Sequence, residues 1–228
     1  MRARVFSWLG RECVGISGEA GSGVTAEEET HDLFRRFAEE LKARGLSLEN
    51  TVRTRIWGRT RDVRNRAAME RFRILSGTAR APSSSYVSPT HMDSRANVAL
   101  DLVAMRPSYR DAERIQVEFE PPRPYLRYLR FDSVVFVSGF TSGKEGLENQ
   151  VPQIMADIKA ALEAAGTTWN RVVKLSAFLH RSQRPDALKS LLGKSGAGET
   201  PGLEISLVDG FAGEKCLLEV EATAAPGG

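Results

Sequence analysis

Long apolar runs are missing from this sequence of 228 residues. No stretch approaches the roughly 18 residues that a membrane-spanning helix needs, so no membrane partner is expected. The basic start, MRARVFSWLGRECVG, is broken by Arg11 and Glu12 and has no apolar core of the kind a secretory signal carries. Cysteine is scarce: Cys13 and Cys216 are the only two, both in strand-like segments, and reduced buried thiols in a cytoplasmic protein are the expectation. The three histidines, His31, His91 and His180, have no metal-ligand spacing among them. Aromatic residues make up 7% of the chain. They are too scattered to form a stacking platform, and nucleic acid is not an expected partner. The Gly-Ser-Gly at Gly21–Gly23 precedes a helix and is a possible anion site. It fits neither a dinucleotide fingerprint nor a P-loop, so no nucleotide site is expected.

What is present begins with a charge asymmetry. Residues 1–110 carry 19 Lys/Arg against 13 Asp/Glu, and residues 111–228 carry 13 against 16. The Arg-rich first half suits a small anionic substrate, or is simply a solvated basic surface. The two halves also rhyme at an offset of 121 residues. VGISGEAGSG is answered by FVSGFTSG, which sets Ser17 over Ser138 and Gly18 over Gly139. The same offset sets Gly45 over Gly166, Val52 over Val173 and Trp57 over Phe178. A repeat this long is no solenoid unit; it predicts two tandem domains, 1–106 and 126–228, joined by a linker at 107–125.

The elements follow the repeat. In the first copy Arg4–Trp8 and Cys13–Gly18 alternate as a hairpin. Thr25 with Glu27, Glu28 and Glu29 is a helix start, and Leu33, Phe34, Phe37 and Leu41 form one apolar helix face ended by Gly45. Thr51–Gly58 is a strand with Val52, Thr54 and Ile56 on one face and Arg53, Arg55 and Trp57 on the other. Arg61–Leu75 is a helix, polar and Arg-rich on one side. Ser83–Ser88 and Asn97–Met105 close the copy as strands. The second copy repeats the order with strands Leu126–Leu129 and Ser133–Ser138, a helix Gly146–Ala165, a strand Val172–His180 and a short helix Pro185–Leu192. Strands Leu203–Val208 and Cys216–Ala224 complete it. The linker Pro107–Pro124, with four prolines, leaves room for one extra strand around Ile115–Phe119. Each copy reads ββαβαββ, an α+β sheet with both helices on one face.

The strand, Ser-Gly and helix order, the run LEAAGTTWNRVVKLSAFL and the closing LLEVEATA together resemble the RidA (YjgF) family of enamine/imine deaminases. The match covers nearly all of the second copy and extends to the first through the constant offset. The resemblance implies a tandem pair of chorismate-mutase-like domains, assembly as a homotrimer with clefts between neighbours, and hydrolysis of small carboxylated imines or enamines without a cofactor. It also implies an Arg at the start of the fourth strand of each copy to fork a substrate carboxylate, and a Glu in the closing strand to handle protons and water. The second copy keeps the acid, Glu219, but has Leu203 in place of the Arg. The first copy has Ala99 in place of the Glu and a serine, Ser84 to within one residue, in place of the Arg.

The first copy therefore offers cations without the acid, and the second the acid without the cation. A composite cleft is the expected remedy, with Glu219 and Ser84 as catalytic candidates and Arg80, Arg55, Arg53 and Tyr86 binding substrate. Ser17, Gly18, Ser138 and Gly139 are read as turns, presenting backbone N–H groups to a ligand or serving geometry alone. Arg53 and Arg55 point either into a lumen or to solvent, and Ser83–Tyr86 is either a ligand-binding row of hydroxyls or a strand edge. Loss of the family Arg in both copies also admits an enzyme retooled for cyclisation, elimination or a chorismatase-like hydrolysis, or a non-catalytic ligand-binding protein.

Overall fold

The computed structural model describes residues 1–21, 25–109, 112–197 and 202–225. Of the Gly21–Gly23 motif only Gly21 falls among them. The first half places β1 (Arg2–Trp8), β2 (Arg11–Glu19), β3 (Thr51–Gly58), β4 (Ser83–Val87) and β5 (Val98–Met105) in one sheet of order β1-β2-β5-β3-β4. Only β3 and β4 run parallel. The second half repeats this order and adds a strand: β6 (Arg114–Val117), β7 (Tyr128–Phe131), β8 (Val134–Thr141), β9 (Val172–His180), β10 (Leu203–Val208) and β11 (Leu218–Ala224) lie as β6-β7-β8-β11-β9-β10. The strand in the expected linker, β6, pairs with β7, so the second sheet begins earlier than residue 126.

Helices α1 (Ala26–Lys42) and α2 (Arg61–Ile74) cover one face of the first sheet, and α3 (Leu147–Ala164) and α4 (Pro185–Lys194) one face of the second. Helix α1 starts where its sequence says: the Thr25 side chain accepts from Glu28 N, and the Glu28 carboxylate accepts from Thr25 N, so two orphan donors of the first turn are satisfied reciprocally. Gly45, at φ +67°, turns the chain out of the helix. Leu33, Phe34, Phe37 and Leu41 pack on Val14, Ile56 and Leu100. In the second half Ile154, Ile158 and Leu162 pack on Val137, Leu175 and Val220. The apolar periodicities of both long helices thus identified their buried faces.

The other faces of the two sheets meet each other. One apolar cluster between them joins Cys13, Val52 and Met105 to Leu126, Leu129, Val134 and Phe136. A second joins Trp57, Tyr86 and Ala99 to Phe178, Val208 and Phe211. Val52 belongs to this face and not, as alternation predicted, to that of Thr54 and Ile56. The register of β3 on β5 slips between Thr51 and Arg53, and such a bulge re-aims one side chain. Cys13 is buried as expected, with its thiol pKa pushed up to about 11 by burial. Cys216 lies ahead of β11 rather than in it.

The outer edge of β4 would otherwise present unpaired backbone groups. The second half covers it: Ser83 N donates to Ser138 Oγ at 3.3 Å, Val87 N to Gly210 O at 2.9 Å, and Asp209 N to Val87 O at 2.8 Å. The four layers are therefore helices, sheet, sheet, helices, and every polar side chain on the inner sheet faces must find a partner across the seam.

Candidate active site between the two sheets

Strand alternation sends Val220 and Ala222 of β11 toward the helices and leaves Glu219, Glu221 and Thr223 facing the first sheet. The same alternation in β3 presents Arg53 and Arg55 to them. Arg53 Nη1 and Arg55 Nη2 each lie 2.7 Å from Glu221 Oε2, and Arg55 Nε stands 3.1–3.2 Å from the two carboxylate oxygens. The Ser84 hydroxyl donates to Glu221 Oε1, and Tyr86 OH approaches the same atom at 3.4 Å. Arg53 Nη2 also donates to the carbonyls of Val137 at 3.2 Å and Ala222 at 3.0 Å. Burial works to raise the pKa of Glu221, but Arg53 and Arg55 outweigh it and hold the carboxyl at about 2. Burial lowers both guanidinium pKa values as well. Arg53 stays below its ordinary value, whereas the pull of Glu221 carries Arg55 above its own. Arg53 and Arg55 thus face the lumen between the sheets, and the carboxylate they hold is the protein's own.

Glu219 lies two residues away, roughly 7 Å along the strand, in different surroundings. It is 5% exposed, and its pKa is pushed up to about 8 by burial first and by the Glu221 charge, against Arg64, Arg71 and a hydrogen bond from Tyr86. Its carboxyl fills the space above Gly139, where an added Cβ would stand 2.6 Å from Glu219 Cδ. The neighbouring cations come from α2. Arg71 Nη1 donates to Ser84 O at 2.7 Å and Arg64 Nε to Ser85 O at 3.0 Å. Burial, then the charge of Arg64, brings Arg71 down to about 9, and burial lowers Arg64. Tyr86, wholly buried and stacked on Phe178 at 4.0 Å, reaches both glutamates, and burial together with both acids raises its own pKa.

Glu219, Glu221, Ser84, Tyr86, Arg53 and Arg55 therefore come together across one intramolecular seam, fed by both halves. Arg80 does not join them: its guanidinium pairs with Glu118 and lies 5.1 Å over the Phe72 ring, because the loop before β4 faces β6 and its flanks. Ser17-Gly18 and Ser138-Gly139 are not turns but lie within β2 and β8. The strands run on through the glycines, at one of which the missing side chain makes room for Glu219. The Ser138 hydroxyl donates to Leu126 O while accepting from Ser83 N, and so joins strands rather than turning them. Strand register also narrows one correspondence to a single residue. Thr54 faces Ser83 in the first sheet as Leu175 faces Leu203 in the second, so Ser83, not Ser84, stands opposite the Leu203 position. Ala99 and Glu219 do correspond, paired with Trp57 and Phe178 respectively, as do Asp101 and Glu221, paired with Arg55 and Ser176.

Arg64 and Arg71 were not singled out in the sequence. Their seven-residue spacing puts both on one face of α2, and that face turns inward. Asp101, two residues beyond Ala99, accepts from Trp57 Nε1 at 2.7 Å and is raised in pKa by burial. Among the described residues no group of three His, Cys, Asp or Glu side chains is placed to hold a metal ion.

Residues 115–225 match the model of the family described as Endoribonuclease L-PSP. The match takes in the second half of the chain, β6 to β11, where the resemblance to the RidA (YjgF) family was read. A chorismatase crystal structure shares the fold over 97% of this chain and 79% of its own, with a TM-score of 0.69 at 14% identity. A member of the YjgF/YER057c/UK114 family from Mycobacterium tuberculosis is 24% identical over 50% of this chain and 99% of its own, with a TM-score of 0.45. RidA from the Antarctic bacterium Psychrobacter sp. PAMC 21119 is 20% identical over 51% of this chain and 99% of its own, with a TM-score of 0.42. Among curated proteins no sequence matches the chain.

Two carboxyl groups on one strand are thus driven apart: Glu221 is ionised at any working pH, and Glu219 keeps its proton near neutrality. Such a split supplies a fixed anion and an exchangeable proton side by side. It also couples Glu219 to stability. Its pKa is higher folded than unfolded, so the unfolded chain binds fewer protons than the native one between the two values, and stability falls as pH rises from about 4.5 toward about 8. Glu219→Gln should flatten that decline, by on the order of 1 kcal/mol per pH unit, in urea unfolding measured from pH 5 to 8.5. Glu221→Ala, which strands two buried guanidinium groups, should cost about 3–5 kcal/mol in the same assay at pH 7.

Proposed function

We propose that the chain hydrolyses a small carboxylated imine or enamine to the carbonyl compound and ammonia, at the buried cluster that Glu219 forms with Arg64, Arg71 and Tyr86. The observation that carries the reading is a carboxylic acid kept neutral near pH 7 beside cations supplied by α2. Arg64 and Arg71 take over the anchoring of a substrate carboxylate that Leu203 and the β4 serines cannot perform, with guanidinium forks matched to a carboxylate. Glu219 delivers its proton to the imine nitrogen. Water then adds to the carbon and returns a proton to the Glu219 carboxylate, and a second transfer to nitrogen releases ammonia as the carbonyl forms, the hydroxyl proton passing back to Glu219. Tyr86 orients the acid.

A second reading keeps the acid and changes the substrate. The likeness to a chorismatase spans almost the whole chain, and under this reading Glu219 protonates the ether oxygen of an enol ether during hydrolysis.

Imino acids generated in situ by an amino-acid oxidase should release ammonia faster with the purified protein than without it. The rate should fall above pH about 8 as Glu219 loses its proton. Glu219→Gln should lower the rate about 100-fold or more, and Arg71→Met should act mainly on KM. A folded protein inactive on a broad imino-acid panel would sink the deaminase reading, and cleavage of chorismate by the same preparation would then establish the second.

A further inference from the structure

Beside the Glu219 cluster the inner sheet faces bound an open groove of about 770 Å³, between β1, β2, β3 and β5 on one side and β8, β9, β10 and β11 on the other. Glu219 does not line it. Its volume is that of a small-molecule site, and five cationic side chains line it against three acidic ones. Arg55 sits in it with its guanidinium only partly engaged. Nε and Nη2 serve Glu221 and Ser176, whereas Nη1 meets no protein acceptor among the described residues, and the side chain is 20% exposed. Lys174, at the rim, is held by Glu204 at 2.9 Å with both side chains largely in water, a pairing weak enough to yield to a ligand. Arg4 lies over the Phe6 ring at 5.4 Å. Trp8 meets the buried Phe136 edge to face at 6.2 Å and is left half-buried at the groove, an aromatic surface that receives a ring.

The cations in this groove are side chains carried on strands, and among the described residues no helix N-terminus lines it to cradle a phosphate. One guanidinium edge and one mobile ammonium match a single carboxylate. We infer that the groove is a second binding site, separate from the Glu219 cluster, for a ring-bearing monocarboxylate whose carboxylate meets Arg55 and Lys174 and whose ring lies against Trp8.

Phenylacetate, with uncharged phenylacetamide as its control, tests this through tryptophan fluorescence and calorimetry. Phenylacetate should quench fluorescence saturably, and Trp8→Phe should remove the quench while calorimetry still registers binding. Lys174→Ala should weaken binding about 10-fold, as should replacing the carboxylate by the amide. Glu219→Gln should leave it unchanged, which separates this site from the catalytic reading. No saturable binding, equal affinity for the amide, or indifference to Lys174→Ala would overturn the proposal. So would self-association of the chain that the same variant abolishes, since the groove would then belong to a second copy.

Discussion

The ion cluster formed by Glu221 with Arg53 and Arg55 sets the terms for the rest of the structure. Two sheets that present guanidinium groups and carboxylates on their inner faces cannot close on one another unless the charges meet, because an unpaired buried charge costs several kcal/mol. Meeting them fixes the relative position of β3 and β11, which in turn brings β4 alongside β8 and seals Tyr86 between the two acids. The elevated pKa of Glu219 follows from this closure. Its neighbour on the strand has already claimed the two nearest cations of β3, so Glu219 is left with burial and with the more distant charges of α2.

The fold was largely legible because the signals that encode it are local and periodic. The Thr25 cap, the apolar stripes of α1 and α3 and the strand alternation of β3 each need only a short window of sequence, and the 121-residue offset carried the assignment from one half to the other. Residues that depart from simple periodicity were misread. Val52 changes face at a bulge, and the Ser-Gly pairs look like turns to local propensity although both lie in strands whose partners keep them extended.

The candidate site was legible in part for the same reason. Arg53 and Arg55 lie on one strand face by arithmetic, and Glu219 and Glu221 do too, so their meeting required only that the inner faces be opposed. Arg64 and Arg71 were hidden because an Arg-rich helix side ordinarily faces water, and nothing local distinguishes a guanidinium that will cap strand carbonyls from one that will be solvated. Arg80 failed in the opposite way. Nearness in sequence to β4 made it a candidate, while its direction was decided by Phe72 on α2 and by Glu118, which lies 38 residues along the chain.

The seam that gathers these groups takes its cations from one half of a single polypeptide and its acids from the other. In an assembly of identical subunits every substitution appears on both sides of every interface, so a surface must remain compatible with itself as it changes. Covalent linkage of two unlike halves lifts that restriction. Here Ala99 stands at the acid position of one half while Glu219 is kept in the other, and arginines occupy β3 where β9 has Lys174 and Ser176. Each half is free to specialise as donor or acceptor of a single asymmetric contact.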